Sequence, residues 1–389
     1  MPYFSFILNQ KNNNEFLEKC ISLNLFLKVN KKYYSKNTKI WKLFNKKTNL
    51  NNFLLLKKET IFSCTHITKN IFFFLPPSIG LGDAIEYALA IKSIVINKDI
   101  KCYGIGFTGR YKLIFSKFFG LKNLYENIIL SSDLNKFDSI FHFSKNIKSL
   151  HAHKYDRVNL EKKIVEFFRV PLFRFKYNNI MVNANVQKIH IYPLSTSPIR
   201  TMPLEIILTI VEEFSNTFNI EIVLNDESEF SKIFFKNEYL KKNVIFSFPE
   251  NIPSLLHVIE KTQYGIFVDS GPLHVAKILN IKGILLISSI SSNKLIYKFN
   301  SIRAVQGIYK SLFCNGPCGL INALNYNNNF GCYDHLNINK EELSNIDNFK
   351  NLQRGNLKLN YLDIFKKGVN CFKGIDLKKL TNLIKKDIL

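Results

Sequence analysis

The sequence predicts an α/β protein built from two doubly wound parallel sheets, and three observations carry that prediction. Short continuous apolar runs alternate with segments whose apolar residues recur at helical spacing, the pattern of βαβ units. The alternation occurs in two series, separated by an irregular stretch near 169–187. A chain of 389 residues, 46% hydrophobic and 22% charged, has the length for two or three domains and the apolar content to give each a core. Disorder over most of the length is excluded on the same grounds.

The elements follow in order. Residues 1–70 are apolar, basic and Asn-rich without a clear period, and stand as an N-terminal extension of unassigned fold. Ile71 to Leu75, Ile-Phe-Phe-Phe-Leu, is a buried strand, because an unbroken apolar run suits a strand covered on both faces. A Pro/Gly loop leads to a helix over Asp83–Val95. Further strands are expected at Phe137–Phe143, Lys188–Tyr192, Ile220–Leu224, Tyr264–Val268 and Gly283–Ile287. Helices are expected at Leu160–Phe168, Pro203–Phe218, Ile252–Lys261 and Pro272–Asn280, and Ile375–Leu389 reads as an amphipathic helix with lysines on one face. There is no internal repeat.

Fifty-four Lys+Arg against thirty Asp+Glu leave a net charge of +24, which favours anionic partners. The Lys-, Asn-, Ile- and Phe-rich composition of an AT-rich genome produces the same excess, so charge alone assigns no partner. No nucleic-acid recognition signature accompanies it, and nucleic acid is not expected. Seven cysteines, with Cys314, Cys318 and Cys332 clustered and Cys371 beyond, read as reduced cytosolic thiols with a possible metal site rather than a disulfide framework. Met1–Gln10 lacks a basic n-region and a cleavage site. The most apolar stretch, Ile71–Ile91, is broken by Pro76, Pro77, Gly80, Gly82, Asp83 and Glu86, so no membrane span is expected.

Four segments carry chemistry. Ser78-Ile-Gly-Leu-Gly-Asp83 joins a strand to a helix; its glycines permit a tight turn, and Asp83 is either an N-terminal cap or a site residue. Tyr192–Pro203 sets Ser195, Thr196, Ser197 and Arg200 before a Pro-led helix: a phosphate cradle or an ordinary polar loop. Phe267–His274 runs Asp-Ser-Gly-Pro-Leu-His from a strand into a helix, where the amides of Ser270 and Gly271 and the helix dipole converge on an anion position. His274 is either part of it or a satisfied helix residue. Cys314-Asn-Gly-Pro-Cys318 with Cys332 and His335 has the density of a zinc or iron site, with His335 or Cys371 as fourth ligand, or else packs a long loop.

The ordered set over about residues 71–345 resembles glycosyltransferase family 9, the heptosyltransferase-like enzymes. That resemblance implies a GT-B fold: two Rossmann-like domains facing across a cleft, the acceptor on residues 71–186, the nucleotide sugar on 187–345, and a helical segment, 346–389, packing back on the first domain. It makes Asp83 the general base beside Gly82, and Arg200 the cation that neutralises the leaving diphosphate. Ser195, Thr196, Ser270, Gly271 and His274 become phosphate contacts, and Glu227, after Asn225-Asp226, the acid on the ribose. The implied donor is ADP-heptose-like and the acceptor a glycan, glycolipid or protein of the cell envelope. No cofactor is required for catalysis. The enzyme is expected in the cytoplasm, with a peripheral contact to the anionic inner membrane. The N-terminal extension and cysteine cluster resemble the branch that glycosylates autotransporter proteins, in which iron or zinc at Cys314, Cys318, Cys332 and His335 would be structural. Glu86 stands where the family often has His, and Met202 where it has an aromatic. The alternative is a non-catalytic nucleotide-binding or scaffold protein of the same fold.

Overall fold

The computed structural model describes residues 69–76, 79–126, 136–143, 159–173, 185–225, 229–296, 299–310, 316–319 and 369–389, and the backbone of short strands at 7–8, 27–29, 32–34 and 53–54. Two compact units emerge, one holding the elements from Asn70 to Phe167 and the other those from Lys188 to Ile388.

The first unit contains β1 (Asn70–Phe74), α1 (Leu81–Asn97), β2 (Cys102–Gly106), β3 (Leu124–Tyr125), β4 (Ser139–His142) and α2 (Leu160–Phe167). Its sheet is parallel with order β3-β2-β1-β4. The central β1 is buried on both faces, which its phenylalanine run anticipates. Phe73 stacks on Phe143 at 5.8 Å between ring centroids, and Phe141 meets Phe168 at 4.8 Å. β2, Cys-Tyr-Gly-Ile-Gly, escapes the sequence pattern because glycine interrupts it. Gly104 is required there: a Cβ would lie 2.6 Å from the Phe72 ring.

The second unit contains β5 (Lys188–Tyr192), α3 (Leu204–Phe214), β6 (Asn219–Val223), α4 (Glu229–Phe235), α5 (Glu238–Asn243), β7 (Ile245–Ser247), α6 (Ile252–Glu260), β8 (Tyr264–Phe267), α7 (Gly271–Ile278), β9 (Lys282–Ile287), α8 (Ser292–Leu295), β10 (Ile302–Gln306), α9 (Asn370–Lys373) and α10 (Leu377–Ile388). All six strands are parallel, in the order β7-β6-β5-β8-β9-β10. The chain therefore winds outward from β5 to β7, returns, and winds the other way from β8 to β10. This is the doubly wound order with its switch point between β5 and β8.

The last helix completes the core of the second unit. Leu380 and Ile384 of α10 are fully buried in the core of the second unit, with Ile207, Ile210 and Phe214 of α3 in the same cluster. Lys385 pairs with Glu213 of α3. Asp387 accepts from the Tyr264 hydroxyl at 2.9 Å and pairs with Arg303 at 2.9 Å. The amphipathic stripe fixed that the helix packs. Within the second unit it packs on α3 and β9, and Gly307 and Gly374 let the backbone leading into it pass close to the end of β10. A Cβ on Gly307 would sit 1.7 Å from the Cys371 carbonyl oxygen, and one on Gly374 2.1 Å from that of Ile308. Among the described residues no helix is long and apolar enough to cross a membrane.

Candidate functional site

In an open parallel sheet, the loops leaving the carboxyl ends of the strands part company at the switch point and leave a crevice. In the second unit those loops are residues 193–203, after β5, and 268–270, after β8. They hold most of the residues singled out from the sequence.

The first loop is folded on itself. Thr201 Oγ1 donates to the carbonyls of Ser197 at 3.1 Å and Ser195 at 3.4 Å, and Met202 N–H closes the loop onto the Pro193 carbonyl at 2.8 Å. Met202 is buried in the core. The Ser288 hydroxyl at the end of β9 donates to the Ile199 carbonyl, so the loop is tied down from the far side as well.

Arg200 then reaches β8. Its Nη1 donates to the Asp269 carboxylate at 3.1 Å and the Asp269 carbonyl at 3.0 Å, while Nη2 donates to Thr196 Oγ1 at 3.1 Å. Ser195 Oγ donates to the same Asp269 carbonyl at 3.1 Å. The two ionic side chains retain only 12% and 3% of their exposure. Charge-assisted bonds of this kind are stronger and more directional than neutral ones. Asp269, quoted in the Asp-Ser-Gly segment but given no role there, is thus the residue that joins the two loops.

Beyond it, Ser270 is the N-cap of α7 and its hydroxyl donates to the Val268 carbonyl at 3.3 Å. Pro272 in the first turn removes one amide but favours the helical start. The amides at Ser270 and Gly271, the positive end of α7 and the Arg200 guanidinium are gathered at one crevice, a composition suited to a phosphate or diphosphate. His274 is one turn further in, buried to 1% exposure beside Lys277.

Gly82 and Asp83 belong to the first unit, at the corresponding place. In that sheet the order of winding reverses between β1 and β4, which pair in parallel, and α1 follows β1. The Asp83 carboxylate accepts the Gly80 N–H at 3.0 Å and lies in the first turn of α1, where a negative charge meets the helix dipole favourably. Gly80, not Asp83, is the N-cap of α1; Asp83 stands three residues on and accepts the N–H of the cap residue. Glu86 turns to α2: its carboxylate accepts the Leu160 N–H at 3.2 Å. Tyr87, on the same face of α1 as Asp83, is buried with a hydroxyl that has no hydrogen-bond partner among the described residues. Its pKa is raised, chiefly by burial and further by Asp83 and Glu86.

Glu227, Cys314, Cys332 and His335 lie outside the described residues. Asn225, which precedes Glu227, donates its N–H to Ser231 Oγ at 3.2 Å. Of the cysteine set, Cys318 is partly buried against the second core, and Cys371 borders the same stretch: its Sγ is 3.9 Å from a Cβ placed on Gly316. Among the described residues no three His, Cys, Asp or Glu side chains converge as metal ligands, so the described part supplies two thiols and the rest of the set stays a sequence expectation.

No protein-family model matches the sequence, and no curated protein matches it. Solved structures do resemble the fold. The ADP-heptose lipopolysaccharide heptosyltransferase II of E. coli aligns at a TM-score of 0.42 and 11% identity, over 62% of this chain and 91% of its own. A glycosyltransferase family 9 protein from Veillonella parvula aligns at 0.43 and 12%, over 82% and 99%. TibC, an iron-containing dodecameric glycosyltransferase of enterotoxigenic E. coli, aligns at 0.45 and 10%, over 82% and 77%. The chain is similar to these proteins in its parallel α/β architecture.

Proposed function

We propose that the chain is an inverting glycosyltransferase of GT-B type that moves a sugar, heptose from ADP-heptose as the first candidate, onto a cell-envelope glycan, glycolipid or protein acceptor. The observation that carries the reading is the crevice at the β5/β8 switch point, where Ser195, Thr196, Arg200, Ser270 and Gly271 are gathered around Asp269. In this reading the acceptor hydroxyl gives its proton to the Asp83 carboxylate as its oxygen attacks the anomeric carbon. The bond from that carbon to the diphosphate oxygen breaks with inversion. Arg200 and the α7 amides hold the departing negative charge, which is where electrostatic stabilisation lowers the barrier most. Glu227 would hold the ribose and His274 a phosphate oxygen. Catalysis needs no cofactor. Iron or zinc at Cys314, Cys318, Cys332 and His335 or Cys371 would staple the loop that carries them, and elemental analysis of the purified protein should find one such metal per chain. The working place is the cytoplasm, with a peripheral contact to the inner membrane as a further element of the reading.

Calorimetric titration with ADP-heptose, ADP, UDP and GDP tests the reading. One nucleotide family should bind both wild type and Asp83→Ala, with turnover reduced in the variant by about 100-fold or more, the range for losing a general base. Absence of binding to all four would end it. A second reading, a nucleotide-binding scaffold without transfer, is favoured by one feature: Asp83 caps its own helix and Arg200 is paired with Asp269. Donor binding with neither transfer nor hydrolysis would select it.

A further inference from the structure

Lys277 is a lysine almost entirely withdrawn from water, at 3% exposure, and the proposed reaction does not use it. Such a group is rare inside proteins unless its donors are satisfied. Here its Nζ lies 2.7 Å from the Leu295 carbonyl oxygen, 3.3 Å from His274 Nδ1, and 5.0 Å from the centre of the Phe299 ring. A carbonyl oxygen, an imidazole nitrogen and an aromatic face are all electron-rich, the surroundings that suit an ammonium. The two residues are one helical turn apart on α7, so the contact is built into the helix, and Leu295 and Phe299 fix the lysine from a separate segment.

An ammonium has hydrogens to give and no lone pair to receive them. Facing Lys277, His274 Nδ1 can only accept. The proton of the neutral ring must then sit on Nε2, since the bond made by one ring nitrogen sets the state of the other. We propose that Lys277 is a positioning residue that locks His274 into its Nε2–H tautomer, making the histidine a hydrogen-bond donor and withdrawing it from use as a base through Nδ1. The inference rests on the nucleotide-sugar reading for its purpose, because a donor one turn inside a helix N-terminus suits phosphate oxygens. The tautomer follows from the approach of a protonated Lys277 to Nδ1 and does not need that reading.

The test uses the full-length protein with 15N-labelled histidine, the His274 ring being assigned by its loss in His274→Gln. Long-range proton–nitrogen correlation in the ligand-free protein should show an unprotonated Nδ1 and a protonated Nε2. A proton on Nδ1, in the other tautomer or in a doubly protonated ring, overturns the proposal, and this measurement stands even if variants fold poorly. In Lys277→Met, which keeps length and removes the donor, the Nδ1–H form should appear; an unchanged tautomer would overturn the lock. ADP affinity separates the two readings. If wild type binds ADP, Lys277→Met should bind at least about tenfold more weakly, the effect of losing a charge-assisted contact. Equal affinity with an altered tautomer would overturn the donor role. If wild type shows the expected tautomer and binds no nucleotide, the glycosyltransferase reading fails while the lock holds.

Discussion

Arg200 and Asp269 are 69 positions apart in the chain and meet because β5 and β8 are neighbours in the sheet, so their pairing depends on topology. Removing one member of a pair this buried leaves the other without compensation, at about 3–5 kcal/mol. Asp269→Ala should therefore lower stability by that amount in urea unfolding, and Arg200→Met should recover much of the loss in the double variant. Additive losses would mean the pair is not coupled. His190 on β5 offers a second prediction. Burial, the largest cause, and Lys188 lower its pKa to about 4, against the opposing pull of Glu221. In the unfolded chain the ring takes up its proton near 6.5. Between those values the unfolded state binds more protons, so stability is fully present above pH 6.5 and falls as pH is lowered toward 4. The ceiling is about 3 kcal/mol, at roughly 1.4 kcal/mol for each pH step. Unfolding midpoints at pH 7 and 5 should show the drop, and His190→Leu should flatten it; an equal slope in the variant would assign the drop elsewhere. At this scale the sequence was informative about loops and silent about partners. Ser195, Thr196, Arg200, Ser270 and Gly271 were legible because hydroxyls, cations and glycines cluster at helix starts for a physical reason. Asp269's role was not, since a pairing across strands leaves no local mark.

Helices α1, α3, α6 and α7 and strands β1, β5, β8 and β9 each carry enough continuous or periodic apolar sequence to declare themselves. The strands that did not, β2, β3, β7 and β10, are short, glycine-broken or half-exposed at an edge of the sheet, where burial no longer dictates an apolar run. Glycine in a central strand looks like a weakness in a propensity argument and is the opposite here. Gly265 of β8 makes room for the Phe267 ring, which would lie 2.1 Å from a Cβ at that position and which stacks on Tyr192 at 5.1 Å. Gly265→Ala should cost about 1–3 kcal/mol, the range for overpacking a filled core. A thermal melt of the variant within experimental error of wild type would show that the ring can turn aside.

The core of the second unit is completed by residues distant in sequence. Deleting 377–389 would uncover the α3 surface that Leu380 and Ile384 cover, and strip the Tyr264 hydroxyl and Arg303 of Asp387. Each large aliphatic side chain removed from a core costs about 2–5 kcal/mol, so the truncated chain should melt earlier and bind a hydrophobic dye. An unchanged melting curve would mean α10 is an ornament on a finished domain. An amphipathic stripe tells that a helix packs without naming the surface, so the expected docking place of α10 came from the family resemblance and not from its own residues. The crossing of Gly307 with Cys371 and of Gly374 with Ile308 has a consequence for synthesis. The ribosome makes all six strands of the second sheet well before residues 369–388. A nascent chain halted anywhere in that interval has an α3 surface that Leu380 and Ile384 do not yet cover, which exposes apolar side chains of the second unit during translation.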